Sequence, residues 1–219
     1  MRTHLLKGPS QFVGTIPSVI GKMKSLESLD LTKSSLSGKI PSFFKNLTYL
    51  NSFQLGGNCI SGNVDTLCNL AKSVTNLGAD STNLAGTLPP CLSQMSKLEQ
   101  LGLISTSVIG TIPSFFSNFN QLTTLSIGFA ALTGTLPDLT HMASLNQLYL
   151  PNNKLSGTLP SSLLTLDSLQ IVSLYKNLLT GGLNPIRNVG KRVEVDSNKL
   201  SGTVSGIGGA VCSHKDVVW

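Results

Sequence analysis

Residues 26–47, LESLDLTKSSLSGKIPSFFKNL, decide the fold of this chain, and residues 145–166, LNQLYLPNNKLSGTLPSSLLTL, follow the same pattern. Each stretch begins with leucines spaced as LxxLxL and carries a glycine three residues before a proline. In the LxL part, one outward residue separates two apolar residues, as Asp30 does between Leu29 and Leu31. This alternation is typical of a half-buried strand, so each stretch predicts one short strand followed by a turn.

The pattern recurs along the whole chain at a nearly constant spacing. A 24-residue register, followed by steps of 23, 24 and 21 residues, places these residues in one slot: Pro17, Pro41, Asp65, Pro89, Pro113, Pro137, Pro160, Asn184 and Ser205. Three residues before each of these nine positions stands a glycine: Gly14, Gly38, Gly62, Gly86, Gly110, Gly134, Gly157, Gly181 and Gly202. Self-similarity of this period indicates a solenoid of stacked coils.

No single coil can bury its own leucines, so neighbouring coils must stack to form a continuous core. We therefore predict an α/β-type leucine-rich-repeat solenoid, a curved right-handed superhelix of about nine 24-residue coils with parallel strands on its concave face. At about 4.8 Å per strand, the arc is on the order of 40 Å long. We expect residues 1–11 to form a degraded first repeat, 12–205 the solenoid, and 206–219 a tail or partial cap.

Two further features recur in each repeat, an asparagine slot and a glycine, and each has a physical reason. Asparagine amides can satisfy backbone groups where the chain leaves each strand. The slot seven residues before the proline holds Asn58, Asn153, Asn177 and Asn198. Ser34, Thr82 and Thr106 can replace them in part, but Ala130 cannot, which predicts a weak point between Phe129 and Pro137 unless water takes the amide's place. The glycine of each repeat predicts a backbone conformation or a close approach that a Cβ would obstruct.

The composition is that of an uncharged polar surface over an apolar core. Hydrophobic residues make up 40% of the chain and charged residues 12%, with a net charge of +6 and a pI near 9.3. The basic residues are scattered, and their tightest cluster is Arg187, Lys191 and Arg192, so we expect no nucleic-acid partner. No apolar run is long enough for a signal peptide or a membrane span, so any membrane link must lie outside these residues.

The cysteines and histidines indicate neither a metal site nor catalysis. The chain has four cysteines and no CxxC pair, and His4, His141 and His214 are far apart, so we predict no metal, no cofactor, no catalytic residue and no enzyme activity. We expect Cys68 to be a free, buried core residue. The alternative is a disulfide with Cys91, if the loops bend. Cys212 could belong to a C-terminal cap.

Residues from about Phe12 to Val204 resemble the plant-specific leucine-rich repeat, LxxLxLxxNxLxGxIPxxLxxL, whose LxGxIP half distinguishes it from animal and bacterial repeats. Such repeats occur in ectodomains of plant receptor-like kinases and receptor-like proteins and in polygalacturonase inhibitors. The stretch LQIVSLYKNLLTGGLNPIRNVGKRVEVDSNKLSG, residues 169–202, resembles the closing repeats of a transmembrane-kinase (TMK-like) receptor block. The N-terminal cap of the family, with paired cysteines and Trp-x-Gly-Val, is absent, as are kinase motifs.

The resemblance implies a receptor ectodomain fragment that binds a protein, peptide or small hormone, and a co-receptor, at the outer face of the plasma membrane. One alternative is a secreted inhibitor of the polygalacturonase-inhibitor kind, a class that should carry both cysteine caps. Another is an intracellular protein-binding scaffold, which the missing signal peptide and unpaired cysteines would favour.

Outward residues of the strand face are the candidate binding surface of a solenoid. Apolar and aromatic residues gather there in the later coils, with polar neighbours, and form the predicted ligand site: Ile104, Thr124, Phe129, Asn146, Gln147, Tyr149, Tyr175 and Lys176. The earlier coils offer a polar stretch that we interpret as solvated surface: Glu27, Asp30, Lys33, Gln54 and Asp80. Asn46, in the sequon Asn46-Leu47-Thr48, is the predicted glycosylation site, on the convex side.

Overall fold

The computed structural model describes residues 4–6, 12–164, 166–183 and 192–202. It contains two parallel sheets of nine strands each, and strands of the two sheets alternate along the chain. The concave sheet consists of β1 (His4–Leu6), β3 (Ser28–Asp30), β5 (Ser52–Gln54), β7 (Asn76–Gly78), β9 (Gln100–Gly102), β11 (Thr124–Ser126), β13 (Gln147–Tyr149), β15 (Ile171–Ser173) and β17 (Arg192–Glu194). The second sheet consists of β2 (Val13–Thr15), β4 (Ser35–Gly38), β6 (Cys59–Asn63), β8 (Asn83–Thr87), β10 (Ser107–Thr111), β12 (Ala131–Gly134), β14 (Lys154–Gly157), β16 (Leu178–Gly182) and β18 (Lys199–Ser201).

The outer side of the solenoid connects each second-sheet strand to the next concave strand. In the described residues it forms short 3-10 helices rather than α-helices: η1 (Ser18–Lys22), η2 (Ser42–Asn46), η3 (Val64–Asn69), η4 (Pro90–Gln94), η5 (Ser114–Asn118) and η6 (Ser161–Leu164). The slot proline precedes several of them in an extended conformation, with φ −71° at Pro41 and −65° at Pro113. Its ring fixes φ near this value, so it turns the chain onto the outer side.

The core lies between the concave sheet and the outer segments and runs through the stacked coils as one cluster from Ile16 to Val195. The LxxLxL residues point into it, since Leu26, Leu29 and Leu31 are at most 3% exposed. The curved leucine-rich-repeat solenoid with parallel strands is therefore confirmed. The predicted tail at 206–219, with Cys212 and His214, lies outside the described residues, whereas β1 places part of residues 1–11 beside β3 in the concave sheet.

Each coil contributes two strands, where the sequence pattern led us to expect one. The glycine of each repeat explains the second. All nine repeat glycines have positive φ, between 77° and 112°, as the prediction of a special backbone conformation requires. Gly110, for example, pairs with Leu132 of the following coil, and its turn in the backbone keeps β10 in register with β12.

The predicted asparagine ladder is confirmed. The side chain of Asn58 donates to the carbonyl oxygens of Leu55 in its own coil (2.7 Å) and Leu31 in the preceding coil (2.8 Å), and accepts from the amide of Leu36 (3.1 Å). Asn177 and Asn198 repeat this arrangement. Each buried amide thus joins two coils through hydrogen bonds that water cannot supply at that depth.

The coil with Ala130 receives its hydrogen bonds from the next coil. Asn153 donates to the carbonyl of Ile127 (2.7 Å) and accepts from the amide of Leu132 (3.0 Å). Ala130 itself packs against the core. The bonds from Asn153 are those that each ladder asparagine makes to the coil before it. An asparagine at position 130 would in the same way serve the coil before Ala130, where the carbonyl of Leu103 accepts from the hydroxyl of Thr106 (2.8 Å).

The prediction that Cys68 is a free core residue is wrong. Cys68 is exposed and forms a disulfide with Cys91 of the following coil, with Cα atoms 5.7 Å apart. The reason is a one-residue shift in η3, where Leu67 is fully buried in the position that the repeat assigns to Cys68. The cysteine is thereby turned outward to the next coil, while Cys59 is exposed and free.

We expect Gly110→Ala to destabilise the chain by more than Gly14→Ala. Both glycines have left-handed φ values, 84° and 89°, so an alanine costs about 1 kcal/mol of conformational strain at either position. At Gly110 the new Cβ would also lie 2.9 Å from Cγ2 of Thr87, whereas nothing lies within 4 Å at Gly14. Urea denaturation followed by circular dichroism measures both changes.

The contact itself can be isolated with Thr87→Ser, which removes the methyl group that the new Cβ would meet. In a double-mutant cycle, Thr87→Ser should restore part of the stability lost in Gly110→Ala. Equal losses for the two glycine variants, with no coupling to Thr87, would show that the close approach between coils plays no part.

Candidate ligand-binding face

The concave sheet presents two rows of outward residues that run from coil to coil. The row in the middle of each LxL contains Asp30, Gln54, Gly78, Gly102, Ser126, Tyr149, Ser173 and Glu194. The row two residues further along each coil contains Thr32, Gly56, Asp80, Ile104, Gly128, Pro151, Tyr175 and Asp196. Because parallel pairing keeps these positions in register, residues of one row are neighbours about 4.8 Å apart.

Aromatic side chains meet over the later coils. The rings of Phe129 and Tyr175 lie edge to face with centroids 6.5 Å apart, although an entire coil separates them in sequence. That intervening coil presents Pro151, which is buried, and its carbonyl accepts from the amide of Phe129 (2.9 Å). Nζ of Lys176 lies 5.9 Å from the centroid of the Tyr175 ring, within the range of a cation–π contact. We call Phe129, Tyr175 and Lys176 the aromatic cluster.

Tyr149 lies between two serines in the middle row. It pairs in register with Ser126 of β11 and Ser173 of β15, and both serines are buried, at 7% and 1% exposure. The hydroxyl of Ser173 donates to Oε2 of Glu194 (2.7 Å). Small neighbours therefore leave room for the phenol ring on the concave surface, in the coil that also carries Pro151.

The other predicted site residues lie on the same face but have different roles. Thr124 and Gln147 are register partners at the start of β11 and β13 and are both half-buried. The side chain of Asn146 donates to the carbonyl of Ser168 (3.0 Å), so this amide is engaged within the chain. Ile104 is half-buried and sits nearer to Asp80 than to the aromatic cluster, since its amide donates to Oδ1 of Asp80 (2.6 Å).

Asp80, which we had interpreted as solvated surface, is partly buried. Its carboxylate lies over Gly102, where Oδ2 would be 2.8 Å from a Cβ. Gln54 lies in the same way over Gly78. Two successive positions of the middle row are therefore glycines, and each is covered by a polar side chain of the preceding coil. Burial raises the pKa of Asp80 above its ordinary value of 3.8, and the hydrogen bond from the Ile104 amide opposes that rise.

The outer side carries the predicted glycosylation site. Asn46 is exposed at the end of η2. Thr48 of its sequon and Cys68 of the disulfide line one shallow cleft of about 420 Å³, together with Lys45, Leu70, Ala71, Lys72 and Ser73. The sequon and the disulfide are thus neighbours on the side of the solenoid opposite to the aromatic cluster.

In the described ranges of the chain, no group of three or more His, Cys, Asp or Glu side chains is placed to hold a metal ion. None of the helices there is long and apolar enough to cross a membrane.

The stacked coils, the asparagine ladder and the glycine turn define a leucine-rich-repeat fold. Residues 25–47 and 144–166 match the family model described as "Leucine Rich Repeat". No curated protein matches the sequence significantly. Among solved structures, the fold is that of plant receptor-kinase ectodomains, and the chain is a leucine-rich-repeat module that resembles them.

Three solved structures illustrate the likeness. The plant peptide hormone receptor RGFR1, in complex with RGF2, is 28% identical with a TM-score of 0.77, over 86% of this chain and 35% of that one. The Arabidopsis receptor kinase HAESA, with the peptide hormone IDA and the co-receptor SERK1, is 29% identical with a TM-score of 0.78, over 88% and 33%. A plant ice-binding protein is 25% identical with a TM-score of 0.69, over 89% and 72%. The chain therefore spans about a third of the length of these two receptor ectodomains.

We expect Asp80→Asn to stabilise the chain modestly at neutral pH. A carboxyl with a raised pKa in the folded state contributes stability that is present below its unfolded pKa and is lost as the pH rises through the folded value. The asparagine removes this loss and can still accept from the Ile104 amide. In urea unfolding between pH 3.5 and 7, the free energy of unfolding of the variant should increase relative to that of the parent as the pH rises. The exposed Asp167→Asn is the control for net charge, and a gain of the same size there would contradict the assignment to Asp80.

Proposed function

We propose that this chain is a non-catalytic recognition module that binds a peptide or protein ligand on its concave face. The aromatic cluster is the observation that carries the proposal. Phe129 is 49% exposed, and its ring reaches across a whole coil to Tyr175 without entering the core. An exposed aromatic ring that is grouped with a second, partly exposed ring and a lysine is typical of binding surfaces.

The similar proteins support this reading. RGFR1 and HAESA are described with peptide hormones bound, and HAESA also with a co-receptor. By analogy, the chain would form part of the ectodomain of a plant receptor-like kinase or receptor-like protein, with a peptide ligand and a co-receptor as partners. Its predicted contact residues are Ile104, Thr124, Phe129, Asn146, Gln147, Tyr149, Tyr175 and Lys176.

The disulfide and the sequon support a location outside the cell. Disulfides such as Cys68–Cys91 persist in oxidising compartments and are rare in the cytosol. Asn46 is exposed on the outer side, where a glycan would leave the concave face open. Both features favour an extracellular module over an intracellular scaffold.

A selection of displayed random peptides on the immobilised chain tests the proposal. We expect the selected peptides to lose at least about 10-fold in affinity with Phe129→Ala and with Tyr175→Ala, because a binding aromatic contributes about 2 kcal/mol. The matched control is Tyr49→Ala, since Tyr49 is 67% exposed on the outer side. Peptides that bind equally well to all three variants would show that the aromatic cluster is not the site.

A second candidate function is binding to ice through the second sheet. Threonines directly follow the repeat glycine in four successive coils, and all are exposed: Thr87, Thr111, Thr135 and Thr158. A Cβ on the glycine of each following coil would lie 2.8–2.9 Å from their methyl groups, so these methyls are held over glycines in a regular row. A flat row repeating every 4.8 Å or so is suited to an ordered water lattice, and one similar structure is of a plant ice-binding protein.

Thermal hysteresis and inhibition of ice recrystallisation test this second candidate. We expect any activity to be lost in Thr111→Lys, because a lysine disrupts the flat row. Lys39 occupies the equivalent position in an earlier coil, so the fold accepts this residue there. Ser96→Lys, at an exposed position outside both sheets, is the control of equal charge. Unchanged ice growth with the parent chain would eliminate this function and leave the peptide proposal untouched.

A further inference from the structure

The charges of the chain are segregated between its faces. The net charge is +6, yet six of the ten acidic residues lie along the concave sheet: Glu27, Asp30, Asp80, Glu99, Glu194 and Asp196. The outer side instead carries lysines: Lys22, Lys24, Lys45, Lys72 and Lys97. Among the described residues, the basic side chains at the concave sheet are Lys33, Lys176 and Arg192, and Arg192 is paired with Glu194. Acidic side chains therefore outnumber basic ones by six to three in this part of the structure, although the whole chain has a net charge of +6.

We propose that the concave face selects an extended, cationic peptide, with a Lys or Arg side chain paired to Asp80 and an aromatic or apolar side chain packed on Phe129 and Tyr175. This inference rests on the proposed function and specifies the chemistry of its ligand. It combines three features of one surface: the partly buried carboxylate of Asp80, the glycines of the middle row and the aromatic cluster.

Asp80 is built to receive a cation. Its carboxylate accepts hydrogen bonds from the backbone amides of Ile104 and of Asp80 itself, and a carboxylate has further acceptor sites. The carboxylate lies over Gly102 of the next coil, which has no side chain to occupy that space. Part of the water around the carboxylate is already lost when the chain folds. Binding of a guanidinium or ammonium group therefore requires less further desolvation and compensates the buried charge.

The spacing of the coils sets the spacing of the ligand. Asp80 follows β7 and Tyr175 follows β15, which are four strands apart in the concave sheet. At about 4.8 Å per strand this is about 19 Å, or six residues of an extended peptide at about 3.3 Å each. Between them the same row holds the half-buried Ile104, then Gly128 and the buried Pro151, so few side chains project from the surface there. Lys176 disfavours a second cation at the aromatic end, which fixes the direction of the peptide.

Two nine-residue peptides of Gly and Ser test the inference by fluorescence anisotropy with the whole chain. One has Arg at position 2 and Tyr at position 8, and the other has Glu in place of the Arg. We expect the Arg peptide to bind at least about 10-fold more tightly at low salt, and the preference to fall when salt is raised. Asp80→Asn should remove most of the preference, whereas Asp167→Asn, an exposed carboxylate between η6 and β15, should retain it.

A second variant and the peptide selection separate the possible failures. Glu99→Gln removes an exposed carboxylate of the same face and should lower the preference by less than Asp80→Asn does. If the Glu peptide binds as well as the Arg peptide, or the selected peptides depend on Tyr175 but lack basic residues, the cationic ligand is wrong and the recognition function stands. If no peptide depends on the aromatic cluster, both are wrong.

Discussion

The fold depends on how one coil closes onto the next. Each coil has a few leucines and turns out of its strand with backbone groups that water cannot reach, so it is stable only when a neighbour supplies the missing bonds. The asparagine side chains do this by bonding two coils at once. Asn153 and Asn177 are buried, at 8% and 5% exposure, and each joins the carbonyls of successive coils. Ala130 cannot make such bonds, and the carbonyl of Leu103 in the coil before it accepts from the hydroxyl of Thr106 instead.

The repeat glycine also allows one coil to stack on the next, at the start of the second sheet. With φ between 77° and 112° it redirects the chain into the second sheet, and its missing side chain makes room for the methyl of a threonine from the coil before. Thr111 over Gly134 and Thr135 over Gly157 show the arrangement. Inward positions and turn positions are therefore fixed by stacking, and variation is left to the outward residues of both sheets, where recognition can be built.

The 24-residue period of the sequence predicts the features that all coils share. It does not predict positions whose environment depends on a particular residue of the neighbouring coil. The strand register, the leucine core and the asparagine ladder follow from the 24-residue spacing because identical coils stack identically. Leu67 could not be placed in the same way, because it fills the core one residue early and displaces Cys68 to the surface. Asp80 looked solvated for a similar reason. Its carboxylate lies over Gly102 of the next coil, so its burial is recognised only when residues of neighbouring coils are compared.

The backbone conformation of Phe129 helps to distinguish a binding role of the aromatic cluster from a purely structural one. The residue before each ladder position adopts positive φ, and elsewhere that position holds Lys33, Gly57, Ser81, Ser105, Asn152, Lys176 and Ser197. Phe129 adopts a φ of 52°, where a bulky side chain costs about 1 kcal/mol or more. Core packing does not offset this cost, since the ring is half exposed, and its edge-to-face contact with Tyr175 returns only part of it. Phe129 is thus strained and exposed and adds little to stability, which supports the proposal that this surface binds a ligand.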